Sequence, residues 1–420
     1  MTETQSGRLT VAMTGNNYPP EFSGGTERVM QALARELASA GDRLIVICGS
    51  EEQHDGRDVV RQEVDGIAVL RLPRLPDEIY RINLERPRLL EVMRATLIEE
   101  QVDILHLNHW SHLSDGQVRL AKELGLGVVV TLHDMWTSCP RFFRLPPAGI
   151  QCPEGADRTE CIRCVNLEYR ETPEWVETRL RKRDRDLIAE LRSADALVAP
   201  SEDCAQACLD YLDWGGQPPD IEVLPHGLLD GKPSPTRGPL GLPLRVGTFG
   251  NLNREKGVLL LVEAMAGIAA ELHLFGVGHQ ADFESEIRAR SEELGVRMVW
   301  HGPYTADDPH PASQMDLAVF PSLCRETYGL VVDEALHHGT PVIVSDAGAL
   351  PERLAGGGGI AVPAGSVEML SNAIRGVVED RDAYHLMRSM VPTEFRTVEA
   401  AAERYRHLYS LAWAAARTQS

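Results

Sequence analysis

Short runs of Val, Ile, Leu and Ala alternate with longer stretches whose apolar residues recur every three or four positions, through most of the chain. Apolar runs of about four to eight residues read as strands buried on both faces, and a period of about 3.6 reads as helices covering a sheet. Their alternation predicts parallel sheets built from βαβ units. In the first half the pattern predicts strands at Leu9–Thr14, Leu44–Cys48, Ile67–Leu72, Ile104–Leu107, Val128–Leu132, Ala196–Ala199 and Ile221–Leu224. Helices are expected at Thr26–Ala40, Asp115–Leu124 and Glu174–Leu191. The run Asp230–Pro243 is too dense in Pro and Gly for either element. Beyond it the alternation restarts, with strands at Arg245–Phe249, Glu271–Phe275, Arg297–Trp300, Leu317–Phe320 and Pro341–Val344, and an amphipathic helix at Val398–Ala415.

A chain of 420 residues is long enough for two cores. The expected fold class is therefore α/β, with two Rossmann-like, doubly wound parallel-sheet domains. Their expected bounds are 8–229, a linker at 230–243, and 244–395; the closing helix in 396–420 is expected to pack back towards the hinge. Open parallel sheets bind ligands outside the carboxyl ends of their strands, so two facing sheets predict a cleft with the chemistry on those loops.

Charge narrows the partners. Lys plus Arg number 42 against 62 Asp plus Glu, a net −20, which repels nucleic acid and anionic membranes except at local basic patches. One such patch is Arg179, Arg181, Lys182, Arg183 and Arg185, read either as a solvated helix face or as a peripheral contact with anionic lipid or acceptor. Met1–Gly7 is polar without a signal pattern, and no apolar run reaches the ~20 residues of a membrane span, so a cytoplasmic location is expected. Of eight cysteines, Cys139, Cys152, Cys161 and Cys164 cluster in a Pro-, Gly- and charge-rich stretch. They are a candidate structural zinc set, with reduced thiols and an iron–sulfur cluster as the other readings. A metal there would supply ordering energy that so few apolar residues do not. Cys48, Cys204, Cys208 and Cys324 read as small apolar residues.

The sharpest chemistry lies in Pro321–Asp346, where a strand ends in a loop, Gly329 opens a helix and another strand follows. Glu326 sits in the loop and Glu334 in the helix, eight residues on. The amides around Thr327, Tyr328, Gly329 and Leu330 form a helix N-terminus, which suits a diphosphate because its donors and macrodipole point the same way. Carboxylates beside it need another task, such as binding sugar or ribose hydroxyls. Past the linker, Gly247–Gly257 is a strand, a Gly-containing turn and a helix start, and Lys256 there can offer a point charge to phosphate. In the first half, Gly24 and Gly25 allow close backbone approach ahead of a helix start, and His133 follows the strand Val128–Leu132.

The Glu326–Glu334 spacing, the Gly339-Thr-Pro-Val turn and Gly348–Glu352 resemble the E-x7-E signature of family 4 glycosyltransferases, with the GT-B architecture. The resemblance runs from Gly24 to Glu352. It implies transfer from a UDP- or GDP-linked sugar with retention of configuration, to a small-molecule, lipid-carrier or saccharide acceptor through oxygen, nitrogen or sulfur. It gives Glu326 the hydroxyls of the transferred sugar, Glu334 the ribose, Lys256 the phosphates and His133 the donor sugar. Glu326, Lys256 and His133 are the implied catalytic residues. Gly24, Gly25, Asn251, Arg254, Lys256, Glu326, Tyr328, Gly329, Leu330 and Glu334 are the implied donor-binding set. No catalytic metal is implied, since a donor phosphate oxygen takes the acceptor's proton while Lys256 and the Gly329 helix start stabilise the departing diphosphate. Asn251 stands where the family usually has Arg, which leaves Arg254 as the candidate second cation. His226-Gly227 stands for the usual Asn-Gly, with His226 read as a turn residue. A nucleotide-sugar epimerase and a non-catalytic binding protein share the architecture and are the rival readings.

Overall fold

The computed structural model describes residues 8–418 apart from 51, 53, 55–56, 58, 74–81, 83–84, 112, 143, 145–151, 153–157, 170, 230–240, 279–280 and 306. It divides into two compact units. The first comprises Met1–Phe142, Pro153–Leu229 and Arg396–Ser420, and the second Phe143–Cys152 and Asp230–Phe395. Most of the Pro- and Gly-rich run between them, 230–240, lies outside the described residues.

The first unit holds β1 (Thr10–Gly15), β2 (Arg43–Ser50), β3 (Val60–Val64), β4 (Ile67–Pro73), β5 (Ile104–Leu107), β6 (Gly127–Thr131), β7 (Ala196–Ala199) and β8 (Glu222–Val223). Their order is β3-β4-β2-β1-β5-β6-β7-β8. Pairing is parallel except between β3 and β4. The two-residue alternation of a strand sorts side chains onto two cores. Val128 and Val130 join Trp110, Met93 and Leu191 on one face, and Val129 joins Met30, Leu37 and Tyr409 on the other. Burial on both faces is why these strands read as unbroken apolar runs. The strand β3 escaped that pattern because it is an exposed antiparallel edge whose central residues Arg61, Gln62 and Glu63 face solvent.

The closing helix, Val398–Thr418, packs on the first unit's sheet. Gly127 makes room for it, since a Cβ there would stand 2.7 Å from the carbonyl carbon of Ala412. Hydroxyls on the helix reach a buried histidine: Tyr409 Oη lies 2.7 Å from His106 Nδ1, His106 Nε2 lies 2.8 Å from Thr131 Oγ1, and Tyr405 Oη lies 2.9 Å from the same oxygen.

The second unit holds β9 (Leu244–Asn251), β10 (Ala270–Val277), β11 (Met298–Gly302), β12 (Leu317–Phe320), β13 (Val342–Ser345) and β14 (Gly359–Val362). All are parallel, in the order β11-β10-β9-β12-β13-β14. Val246, Leu317 and Val319 face one core, and Phe249, Ala318 and Phe320 the other.

Two expectations need correction. The stretch between Cys152 and Cys164 is partly helical, over Arg158–Tyr169, because Cys161, Ile162 and Val165 share a face that meets Trp175, Val176 and Leu180. The basic run in the helix Pro173–Ser193 is not one solvated face either. Its period turns Arg183 inwards with Val176, Leu180 and Leu187, leaving it 1% exposed. Its guanidinium donates to the carbonyls of Thr137 (2.8 Å) and Trp136 and lies over the Trp136 ring. Burial and neighbouring Arg158 push its pKa down to about 10.

Candidate functional site

The parallel strands of each sheet reverse their order at one point, between β1 and β5 in the first unit and between β9 and β12 in the second. At such a switch point adjacent connections leave on opposite faces and open a crevice at the strands' carboxyl ends.

In the second unit Asn251 closes β9, exposed and opposite Val277. A turn at Arg254–Lys256 follows, capped by Asn253, whose Oδ1 accepts the Lys256 amide at 3.0 Å. Gly257 (φ 72°) has no room for a side chain, because a Cβ would lie 2.0 Å from the Pro321 carbonyl oxygen. The turn is thus laid against the end of β12, and the Leu323 amide donates to the Glu255 carbonyl at 2.8 Å. This contact brings Lys256 Nζ to 2.6 Å from Glu326 Oε1. Ser322 Oγ donates to the same oxygen at 2.7 Å.

The segment Ala347–Ala349 holds Glu326 by its backbone. Ala349 donates to the Glu326 carbonyl at 2.8 Å, and the Glu326 amide donates to Ala347 at 3.3 Å. Gly348 (φ 66°) fits only without a Cβ, which would stand 2.3 Å from the Glu326 carbonyl oxygen. Burial opposes the charge on Lys256, but the Glu326 carboxylate and Cys324 outweigh it and hold the ammonium above its ordinary pKa.

Gly329 (φ 92°) starts the helix Leu330–His337. Glu334 in its second turn is buried, 3.9 Å from His310 Nε2. Tyr328 is buried too: its hydroxyl donates to Asp333 at 2.7 Å and its ring lies under Arg353. Only its backbone therefore serves the helix start. Burial lifts the Asp333 pKa, partly offset by Arg353. Arg254 is paired with Glu286, 3.0 Å from Oε1, and lies over the Phe283 ring.

In the first unit Gly24 caps the helix Gly25–Ser39, and Glu27 Oε2 accepts the Gly24 amide at 3.1 Å. Burial raises the Glu27 pKa, against which its backbone hydrogen bonds and His109 act. The loop before it is anchored by buried Arg71, 3.2 Å from Glu21 and donating to the Pro19 carbonyl at 3.0 Å. His133 follows β6 and is 6% exposed. Its Nε2 lies 2.8 Å from Asn108 Oδ1 at the end of β5. Its ring stacks on His226, centroids 5.1 Å apart, so His226 is more than a turn residue. His109 Nδ1 accepts the Ser111 amide (2.9 Å), which leaves Nε2–H to donate to Asp134 Oδ2 (3.0 Å).

Asn108, His109 and Ser322 went unnoticed in the sequence. The signal for the first two was their place directly after the strand Ile104–Leu107; Ser322 carried none beyond its closeness to Glu326. Cys139, Cys152, Cys161 and Cys164 are each half-buried. Among the described residues no three His, Cys, Asp or Glu side chains gather as a metal-ligand set.

Comparison with known proteins gives this geometry its class. The model of Glycosyltransferase Family 4 matches residues 23–228, and that of Glycosyl transferases group 1 matches 243–380. The chain belongs to the family 4 glycosyltransferases, and its two parallel-sheet units have the GT-B fold. It is 29% identical over 212 residues to the lipopolysaccharide core biosynthesis mannosyltransferase LpsB of Rhizobium meliloti (strain 1021), covering 46% of this chain and 57% of that relative's length. Among solved structures, sucrose-phosphate synthase from Thermosynechococcus elongatus superposes with a TM-score of 0.67 at 21% identity, over 97% of this chain and all of that one. HepE of Anabaena, in complex with UDP and glucose, superposes at 0.58 and 17% identity, over 98% and 99% of the two chains. Among the described residues no helix is long and apolar enough to cross a membrane.

Proposed function

We propose that this glycosyltransferase takes a sugar from a UDP- or GDP-linked donor and passes it, with retention, to a small-molecule, lipid-carrier or saccharide acceptor. The observation that carries the reading is the Lys256–Glu326 pair, 2.6 Å apart at the switch point of the second sheet, with the Gly329 helix start in the same loop as Glu326. Pairing with Lys256 offsets the negative charge that Glu326 would present to a diphosphate. The ammonium has three donors and can serve both the carboxylate and a phosphate oxygen. As the bond from the anomeric carbon to the diphosphate breaks, Lys256 and the amides at Gly329 and Leu330 meet the charge that develops on the leaving group. The acceptor forms its bond on the same face of the sugar, and its proton passes to the departing phosphate oxygen. HepE's capture of UDP and glucose on a similar fold supports a nucleotide-sugar donor.

Thermal-shift screening against UDP- and GDP-sugars tests the donor, because a ligand that binds only the native state stabilises it by about 2.7 kcal/mol at a hundred times its Kd. The expected result is a raised Tm with one nucleotide sugar, followed by release of free nucleoside diphosphate and a product of unchanged anomeric configuration. An isomerised donor would make the protein an epimerase, and no response to any nucleotide sugar would leave a binding protein of the same fold.

A further inference from the structure

We propose that Asn108 is a positioning residue that fixes His133 as its Nε2–H tautomer, leaving Nδ1 as a bare acceptor for a hydroxyl of the bound ligand. Asn108 Nδ2 donates to the His106 carbonyl at 3.3 Å. Flipping the amide would set its oxygen against that carbonyl, so the orientation is settled by the backbone, and Oδ1 is the atom that faces His133. An amide oxygen only accepts, so the 2.8 Å contact requires a proton on His133 Nε2. A neutral imidazole carries one proton, so Nδ1 has none. Nδ1 is buried and has no hydrogen-bond partner among the described residues.

The titratable groups around the ring are His106 and His109 from the end of β5, Asp134 beside it in its own loop, and His226 stacked on it. Burial outweighs the pull of Asp134 and, with His109, brings the His133 pKa down to about 4, so the acceptor is available throughout the neutral range. A bare lone pair takes a hydroxyl and rejects a carboxylate, which has no proton to give at neutral pH. The ligand half of this inference rests on the proposed sugar transfer; the tautomer half does not.

Histidine-15N NMR on the full chain tests it, with His133→Gln assigning the resonances. The wild type should show one-bond proton coupling at His133 Nε2 and an unprotonated Nδ1 from pH 8 to 6. Asn108→Asp puts a carboxylate where the amide oxygen was, and should raise the ring's titration midpoint by about one to three pH units. Asn108→Leu, similar in size but with no acceptor, should let the Nδ1–H tautomer appear. A wild-type ring protonated on Nδ1 overturns the proposal whether or not the variants fold. So does an Asn108→Asp midpoint equal to that of the wild type. Failure of every nucleotide sugar to raise Tm would count against the proposed function and leave these resonances unmoved.

Discussion

The two units place different chemistry at equivalent positions of their sheets. Where the strand order of the first reverses, Asn108 and His133 are uncharged and buried, at 2% and 6% exposed. Where the second reverses, a salt bridge stands, and the Lys256 side chain keeps 36% of its exposure. Burial and the nearness of an opposite charge together explain the difference. Burial removes the charge from a titratable group unless an opposite charge is close. His133 has Asp134 near it, but the dominant effect is burial, and the ring stays neutral. Lys256 has Glu326 at hydrogen-bond distance, and the ammonium persists. A neutral ring suits hydroxyl recognition, and a retained cation suits a leaving diphosphate.

The comparison is broken most severely at its charged half. Lys256→Ala should lower kcat/KM by about 100- to 1,000-fold, the usual cost of losing one donor to a developing charge. Steady-state kinetics with the donor found by thermal shift would show it, and a loss under tenfold would remove Lys256 from the chemistry.

The neutral half is tested by acid. Burial, with nearby His133, depresses the His106 pKa to about 3, and burial depresses that of His133 to about 4. The unfolded chain therefore binds more protons than the native one below about pH 6.5. Stability from keeping these rings neutral is complete above that value and falls as pH drops towards 4, by roughly 3 kcal/mol for each ring. Urea unfolding of the first unit between pH 7 and 4, followed by its buried tryptophans, should show the decline, whereas a flat profile would mean that both rings are solvated.

The smallest effect belongs to Arg254. Its pair with Glu286 is exposed on both sides, and Arg254→Ala should cost under about 1 kcal/mol in stability and less than tenfold in transfer. A selective rise in KM for the donor beyond that would show the guanidinium leaving Glu286 for a phosphate.

Much of the fold was legible because its strands are buried on both faces. Ile104–Leu107, Ala196–Ala199 and Leu317–Phe320 have the same bounds in sequence and structure. The strand β3 was not legible, since an exposed edge carries no apolar run, and β14 escaped because Gly359 and Ala361 are not strand formers. The loop around Glu326 could be read from its glycines and carboxylates. Arg183 could not: a basic run looks the same whether one of its members turns inwards or none does.

By itself the sequence determined the alternation of strands and helices, the glycine turns and the helix starts, because each follows from residues within a turn or two of one another. Tertiary structure alone decided the pairings, since Lys256 and Glu326 are 70 residues apart and His133 and Asn108 are 25 apart. Sheet order brings such residues together, and only then do burial and partner fix which of them holds a charge.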